Sequence, residues 1–278
     1  MSDKSSTNDI QADDSIEMFQ TAAKDLELRK SKSMVFVKDI NHIILDNSTW
    51  HHLINVLRIS PGHFLSVSDG LGNYRIFRAE HHIKSTSSGR LPKAKNTGDP
   101  NYNFDNIFIP VTKLRRLLTD SKEVGVGLSL CKADKLEWAV QKLTEVGVDH
   151  IWLLLAERSQ TGKDGAKVNY ERLRKIILEA ASQARRPRLC ILHELKSLKD
   201  AYPGISKMGP VAFAEPGQGQ FSSRLCSILI GPEGGWSKEE LALSENHISL
   251  SDGILRVETA AAISGYLLST AKGLNAQG

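Results

Sequence analysis

Short apolar runs alternate with helix-type segments throughout the second half of the chain. Residues 126–130 and 151–156 are almost wholly apolar, as is typical of strands that are covered on both faces. Residues 134–146 and Tyr170–Ala184 carry apolar side chains at every third or fourth position, which predicts amphipathic helices. Strands that alternate with helices in this way predict an α/β domain with a parallel sheet over 121–278.

The end of the chain continues the same pattern. Residues 226–230 are predicted to form another strand, and Ser237 and Glu240 have the spacing of a capping box, which marks the start of a helix. Residues 257–272 are predicted to form a final helix. A strand that is followed so closely by a capped helix is typical of the ligand-binding edge of a parallel sheet.

The first half of the chain has a different character. Residues 64–68 and 74–79 alternate apolar and polar side chains around a glycine turn, which predicts a small β-barrel over 34–120. Residues 84–106 are rich in Ser, Lys, Asn, Gly and Pro and are predicted to be a mobile loop within it. Residues 1–33 are polar and are predicted to be a tail, disordered or loosely helical.

Charge is unevenly distributed along the 278 residues. The whole chain carries a net charge of +4, but residues 1–20 hold five acids and one base, a net of −4, so the remainder carries +8. A basic body is compatible with a polyanionic partner. No apolar run approaches the roughly 20 residues that a membrane span needs, so we expect no membrane partner.

Three cysteines lie far apart in the sequence, and their spacing does not fit a metal site. Cys131, Cys190 and Cys226 are too few and too scattered for a disulfide framework, which indicates reduced thiols. We therefore expect no metal and a cytoplasmic protein. An organelle matrix or stroma is the alternative if the tail is a processed targeting segment.

The sequence Gly-Pro-Glu-Gly-Gly at 231–235 stands between the predicted strand and the capped helix. Glycines there let a ligand approach the backbone closely. The spacing fits neither a dinucleotide fingerprint nor a phosphate loop, and Glu233 would repel phosphate. From these residues alone, a ligand-binding loop and a plain strand–turn–helix corner explain the pattern equally well.

A second turn leads into the final helix at residues 250–262. Glu258 lies in the first helical turn, where a carboxylate usually complements the helix dipole. Arg256 stands just before it, where a positive charge opposes the dipole. Arg256 therefore indicates an anionic partner at this end of the helix.

Several segments together resemble the RsmE family, the 16S ribosomal RNA (uracil-N3) methyltransferases of the SPOUT superfamily. These segments are residues 52–58 (HLINVLR), 132–148 (KADKLEWAVQKLTEVGV), 157–159 (ERS), 179–183 (EAASQ) followed by Arg186, 230–235 (IGPEGG) and 254–260 (ILRVETA). Their order and spacing fit the family over about 34–272, and the last two segments are the most specific.

The resemblance implies a fold and a function. The fold is a PUA-like β-barrel RNA-binding domain followed by an α/β SPOUT-type parallel-sheet methyltransferase domain with a C-terminal trefoil knot. The function is methylation of uridine N3 with S-adenosylmethionine as cofactor. The substrate is small-subunit ribosomal RNA or the assembled 30S-type subunit, the enzyme is a homodimer, and DNA is not expected as a partner.

The resemblance also implies which residues form the site. The expected cofactor-binding residues are Leu229, Ile230, Gly231, Pro232, Glu233, Gly234, Gly235, Leu250, Ile254, Leu255, Thr259 and Ala260. Arg256 is expected to stabilise negative charge on the uracil oxygens, and Glu258 to act as a base or orienting group, although a purely structural role suits Glu258 equally well. The expected RNA-binding residues are His52, Arg58, Arg158 and Arg186.

The chain departs from the family pattern at several positions. Residues 251–253 (SDG) stand where the family usually has Gly-Pro-Arg, and Arg185 stands where it often has Gly. Solvated surface charge is an equally good interpretation of Arg185 and Arg186. Two alternative functions stay open: a SPOUT methyltransferase for another RNA nucleotide, and an RNA-binding relic without cofactor affinity. The intact glycine loop argues against the relic.

Overall fold

The computed structural model describes residues 16–19, 25–80, 104–117, 122–159 and 168–275. We call residues 16–117 the N-terminal half and residues 122–275 the C-terminal half. Each half contains its own six-stranded sheet. Within the described ranges, no helix is both long and apolar enough to cross a membrane.

The N-terminal half is built mainly from short strands. Its elements are β1 (Glu17–Phe19), α1 (Leu26–Lys30), β2 (Met34–Phe36), α2 (Asn47–His51), β3 (Phe64–Ser68), β4 (Asn73–Ala79), α3 (Phe104–Ile107), β5 (Phe108–Pro110) and β6 (Arg115–Leu117). The strand order is β1-β6-β4-β3-β2, and β5 pairs with β4. A π-helical turn over His52–Val56 continues α2, and Trp50 and Leu53 anchor both against the sheet.

The tail predicted over 1–33, disordered or loosely helical from about Ser15 to Lys30, is ordered in its described part: helix α1 agrees with the helical alternative, whereas strand β1 was not expected. Strand β1 pairs in parallel with β6, and Arg115 of β6 binds the carboxylates of Glu17, Asp25 and Glu27. Asp25 is buried, and it also accepts hydrogen bonds from the first backbone amides of α1. Long-range ion pairing therefore holds this segment to the sheet of the N-terminal half, which local composition could not reveal. Because β1 and β2 at the two ends of the strand order do not pair within the described ranges, closure into the predicted β-barrel stays a prediction.

The mobile loop predicted over 84–106 extends too far at its C-terminal end, because α3 begins at Phe104. Phe104 begins α3, and its ring is buried between Phe77 and Phe108, with ring centroids 5.0 Å and 4.6 Å away. Aromatic packing, which the polar composition of the preceding residues concealed, therefore orders the chain from residue 104. The earlier part of the predicted loop lies outside the described residues.

The C-terminal half is a layered α/β structure. Its elements are β7 (Gly125–Ser129), α4 (Ala133–Val146), β8 (His150–Leu155), α5 (Tyr170–Ala184), β9 (Ile191–Ser197), α6 (Leu198–Ser206), β10 (Val211–Gly219), β11 (Ser227–Ile230), α7 (Lys238–Leu241), β12 (His247–Ile248) and α8 (Val257–Asn275). The strand order is β12-β10-β11-β7-β8-β9, and every pairing is parallel. The predicted parallel α/β sheet is confirmed, although the final helix extends to Asn275.

Apolar layers cover both faces of this sheet. Helices α4, α5 and α8 contribute to the larger core on one face, and α6 packs on the other face. In the central strand β7, a Cβ on Gly125 would touch the Trp152 ring and come within 2.8 Å of the His150 carbonyl oxygen. The sheet is therefore packed so closely that this position leaves no room for a side chain.

Helix α8 runs along the sheet from the carboxyl ends of its strands to their amino ends. It begins at the carboxyl ends of the strands. Near its other end, the Lys272 ammonium contacts the Asp149 carboxylate at 2.7 Å. The same Asp149 oxygen accepts the Val124 backbone amide at 2.9 Å, just before β7. One buried carboxylate thus fixes the end of α8 to the amino end of the sheet.

The two halves meet at residues 182–189, which we call the junction segment. Pro187 accepts hydrogen bonds from the Gly72 amide and the Ser68 hydroxyl of the N-terminal half, and the Leu189 amide donates to the Gly70 carbonyl. Arg185 ends α5 with φ of 52°. Within the described ranges, Arg185 and Arg58 alone among non-glycine residues have positive φ, a conformation that costs roughly 1–2 kcal/mol.

Candidate active site

The predicted glycine loop lies at the carboxyl end of β11, as expected. Ile228–Ile230 are buried, and the chain turns at residues 231–235, where Gly235 has φ of 71°. The predicted capping box is confirmed: the Ser237 hydroxyl accepts the Glu240 amide, and the Glu240 carboxylate accepts the Ser237 amide. The loop is therefore fixed at both ends, by a buried strand before it and a capped helix after it.

The turn that follows β8 packs against this loop. A Cβ on Gly234 would lie 3.1 Å from the Arg158 carbonyl oxygen, so the two backbones are nearly in contact. The second oxygen of the Glu240 carboxylate accepts the Glu157 amide at 3.0 Å. Arg158, predicted as an RNA contact, thus lies at the rim of the glycine loop and is exposed.

Two carboxylates act electrostatically on a buried thiol just after β7. Burial raises the pKa of Cys131 to about 12, and the negative charges of Glu233 and Glu258 contribute to that rise. The Glu258 Oε2 atom is buried and has no hydrogen-bond partner among the described residues. This edge of the sheet therefore carries negative potential and one unsatisfied acceptor, an arrangement that suits a cationic ligand.

Lys135 partly balances that negative charge. Its ammonium lies 3.4 Å from the Glu233 carboxylate, which links the first turn of α4 to the glycine loop. Sequence reasoning missed both Lys135 and Cys131 as site residues. Their position directly after a buried strand that neighbours β11 was the available signal, because carboxyl ends of adjacent parallel strands share one edge.

The loop before α8 is held mainly by its own hydrogen bonds. The Ser249 hydroxyl donates to the Ser251 carbonyl, and the Ser251 hydroxyl donates to the Gly253 carbonyl. The Ser249 amide binds the Gly219 carbonyl of β10. Arg256 follows, with an exposed side chain and a carbonyl that accepts the Ala260 amide in the first turn of α8.

The predicted cofactor-binding residues fall into three groups. Those at the surface of the two loops are Gly231, Glu233, Gly234, Gly235, Leu250, Leu255 and Thr259, each partly or fully exposed. Those whose side chains are buried are Leu229, Ile230, Pro232 and Ala260, and only their backbones can face a ligand. Ile254 is 89% exposed, so its side chain contacts no apolar wall here.

The predicted RNA-binding residues do not form one patch. His52 lines a groove of about 880 Å³ between α2 and helices α4 and α5, and Arg58 is exposed on the N-terminal half. The Arg186 side chain instead faces the protein interior, where its guanidinium donates to the Glu145 carbonyl at 3.0 Å and covers Gly147, which ends α4. Burial lowers the pKa of Arg186. This placement argues against the predicted phosphate contact.

Comparison with known proteins agrees with this arrangement. A family model described as an RNA methyltransferase domain matches residues 119–269. The ribosomal RNA small subunit methyltransferase E of Bacillus subtilis (strain 168) is 30% identical over 230 residues, which cover 76% of this chain and 82% of that protein. The chain belongs to the ribosomal RNA small subunit methyltransferase E family. The resemblance drawn from the sequence motifs is thereby confirmed.

Solved structures share the fold of this methyltransferase E family member. A probable rRNA-methyltransferase from Porphyromonas gingivalis superposes with a TM-score of 0.64 at 20% identity, covering 87% of this chain and 99% of that one. A ribosomal RNA small subunit methyltransferase E from Neisseria gonorrhoeae, bound to S-adenosyl methionine, gives a TM-score of 0.61 at 17% identity, covering 86% and 97%. At these identities the likeness concerns the fold alone.

Proposed function

We propose that this chain uses S-adenosylmethionine to methylate N3 of a uridine in small-subunit ribosomal RNA. One observation carries the proposal beyond family membership. At the start of α8, the Glu258 Oε2 atom is buried and has no hydrogen-bond partner among the described residues. Glu258 and Glu233 of the glycine loop both act electrostatically on Cys131, just after β7. A negatively charged end of the sheet with an unsatisfied acceptor and an open glycine loop suits a sulfonium cofactor.

The residues present fit that cofactor. S-adenosylmethionine supplies, when bound, a methyl group on a positively charged sulfur. Glu233 and Glu258 would hold its positive charges, and Gly235, with open space around its α-carbon, would let it lie against the backbone. Leu250 and Leu255, which pack at the border of the core, would offer an apolar surface to its adenine ring.

The reaction needs a proton removed from uracil N3 and the resulting negative charge stabilised. Arg256 is exposed at the start of α8 and would interact with a uracil oxygen as that charge develops. The unsatisfied Oε2 of Glu258 would accept the N3 proton or orient the base. If Glu258 binds only the cofactor, the proton passes to water.

For RNA binding, we propose that the N-terminal half acts as a PUA-like module. Arg58 and His52 would contact RNA from that half, and Arg158 would contact it at the rim of the glycine loop. Arg186 is not retained, because it binds the end of α4. The basic balance of the chain outside residues 1–20 supports a polyanionic substrate.

The remaining family traits are proposed by analogy. We propose a trefoil knot formed by the loops at 231–237 and 249–256, a homodimer, and action on the assembled subunit. Sedimentation should then give twice the 30.7 kDa of one chain. We also propose a cytoplasmic enzyme, since the matched relatives are bacterial ribosomal RNA methyltransferases.

Two measurements test this function. Calorimetry with S-adenosylmethionine should show binding to the native chain and none to Gly234→Val, because the added branch would press on the Arg158 carbonyl and displace the loop. Gly204→Ala, where a Cβ meets open space, should bind as the parent does. Mapping of N3-methyluridine in ribosomal RNA, with and without this gene, identifies the target.

The outcomes separate the alternatives. Cofactor binding together with an unchanged N3-methyluridine map would mean a methyltransferase for another nucleotide. Absence of cofactor binding by the native chain would mean an RNA-binding relic. Equal binding by Gly234→Val and its parent would place the cofactor elsewhere.

A further inference from the structure

Arg185 links two parts of the chain that are far apart in sequence. Its Nε donates to the Ser31 carbonyl at 2.7 Å, and its Nη2 lies 3.5 Å from the Lys32 carbonyl. A third nitrogen, Nη1, is 3.3 Å from the Gln183 carbonyl in the last turn of α5. One guanidinium thus binds the Ser31 and Lys32 carbonyls of the N-terminal half and the Gln183 carbonyl at the end of α5 in the C-terminal half.

The backbone of Arg185 adopts a conformation that glycine prefers. Its φ of 52° ends α5, and its amide bonds to the Ala181 and Ser182 carbonyls. Glycine would form this cap without strain. Arginine at this position keeps the backbone strain that glycine would avoid, and its side chain binds carbonyls of the N-terminal half. This indicates that the side chain has a role beyond ending α5.

Neighbouring residues reinforce the same connection. The Ser182 hydroxyl donates to the Met34 carbonyl at 2.6 Å and lies 2.9 Å from the Ser33 hydroxyl. Further along the junction segment, Pro187 and Leu189 bond to the barrel turn at 68–72. Contacts therefore hold the barrel on two sides, at residues 31–34 and at residues 68–72, and Arg185 supplies the charged donor at the first.

We propose that Arg185 is a positioning residue that fixes the N-terminal half relative to the catalytic edge, so that RNA held by the barrel reaches the site in register. The effect on RNA rests on the proposed function. Arg185 touches neither the glycine loop nor the start of α8, so cofactor binding should not depend on it. RNA recognition should depend on it, because orientation between two binding surfaces determines how well one substrate spans both.

The test compares three variants of the full chain. Arg185→Gly removes the guanidinium and relieves the left-handed strain, whereas Arg185→Lys keeps a positive charge with a single donor group. Arg174→Ala removes an exposed charge from the same helix and serves as the control. For each, hydrogen exchange is measured across the chain, together with S-adenosylmethionine affinity and the KM for small subunits.

The expected result is specific to Arg185→Gly. Exchange should accelerate at residues 26–36 and stay unchanged in β7 and β11, the KM for subunits should rise about tenfold, and kcat and cofactor affinity should stay within about twofold. Arg185→Lys should restore part of both losses, and Arg174→Ala should match the parent.

Two results would overturn the proposal. If exchange at residues 26–36 stays at the parent rate while the KM rises, Arg185 contacts RNA directly and does not position the barrel. If both exchange and KM stay unchanged, the contact has no consequence. A parent chain that methylates no RNA would refute the proposed function instead, and the exchange comparison would still decide whether Arg185 joins the halves.

Discussion

The first described segment of the N-terminal half and the sheet of the C-terminal half are held in place in different ways. In the C-terminal half, apolar layers cover both faces of a parallel sheet, and the proposed active site lies at the carboxyl ends of its strands. In the N-terminal half, a buried arginine cluster joins the first described residues to the last strand: Arg115 binds Glu17, Asp25 and Glu27. The difference shows that the first described segment, residues 16–19 and 25–30, depends on charge pairing, whereas the sheet of the C-terminal half depends on close apolar packing.

The largest loss of stability should come from breaking the ion pairs between Arg115 and its three carboxylates. Arg115→Ala would leave Asp25, which is 2% exposed, buried without its cationic partner, at a cost of about 3–5 kcal/mol. Hydrogen exchange in urea should show loss of protection in β1, α1 and β6 before β7 and β11. Arg116→Ala, an exposed neighbour, should cost less than about 1 kcal/mol. Equal costs for the two would remove the contrast between the halves.

The rate of the methylation step should depend on a residue of the C-terminal half, Arg256. Arg256→Ala should lower single-turnover methylation at saturating RNA by about a hundredfold, because a charge that stabilises the transition state is lost. Arg224→Ala, exposed at the opposite end of β11, should react at the parent rate. If Arg256→Ala keeps full saturated turnover and loses only RNA affinity, Arg256 is a phosphate contact.

A side chain added to β7 should test how closely the sheet of the C-terminal half is packed. Gly125→Ala would force its Cβ against the Trp152 ring and the His150 carbonyl, and should cost about 2–3 kcal/mol in urea unfolding of the C-terminal half. Gly204→Ala, within α6 and facing open space, should instead stabilise it by about 0.5–1 kcal/mol. A tolerated Gly125→Ala would mean that the sheet yields more easily than its contacts indicate.

The smallest expected effect is on RNA affinity, through Arg58 of the N-terminal half. Arg58 is exposed and has a φ of 48°, so Arg58→Gly removes its charge without backbone strain. RNA affinity should weaken and its salt dependence should fall by about one unit, as expected for one lost phosphate contact. S-adenosylmethionine affinity should be unchanged. An unaltered salt slope would remove Arg58 from the RNA-binding surface.

The sequence predicted the C-terminal half more fully than the N-terminal half, for a physical reason. A strand buried on both faces needs an unbroken apolar run, so β8 and β11 are visible locally. Strand β9 was missed because it lies at the sheet edge with alternating polar residues. Strand β1 was missed because its three residues are held by Arg115, 98 positions away from Glu17 in the chain.

The candidate site was predictable only in part. Its glycine loop is a local pattern, and that pattern was found. The combined electrostatic effect of Glu233 and Glu258 on Cys131 depends on which strands become neighbours, and no local spacing encodes that. Arg186 shows the converse difficulty, since sequence reveals a charge but not the direction of its side chain. Its half-buried guanidinium donates to the Glu145 carbonyl at the end of α4, which argues against the predicted RNA contact.

Helix α8 has a consequence for the order in which this enzyme matures during synthesis. Glu258 lies in its first turn and Arg256 lies just before it, whereas Lys272 near its other end binds Asp149 at the amino end of the sheet. This anchor of α8 therefore forms only after residue 272 has been translated and has left the exit tunnel. If the proposed function holds, a nascent chain whose N-terminal half has already folded would bind RNA before it could methylate it.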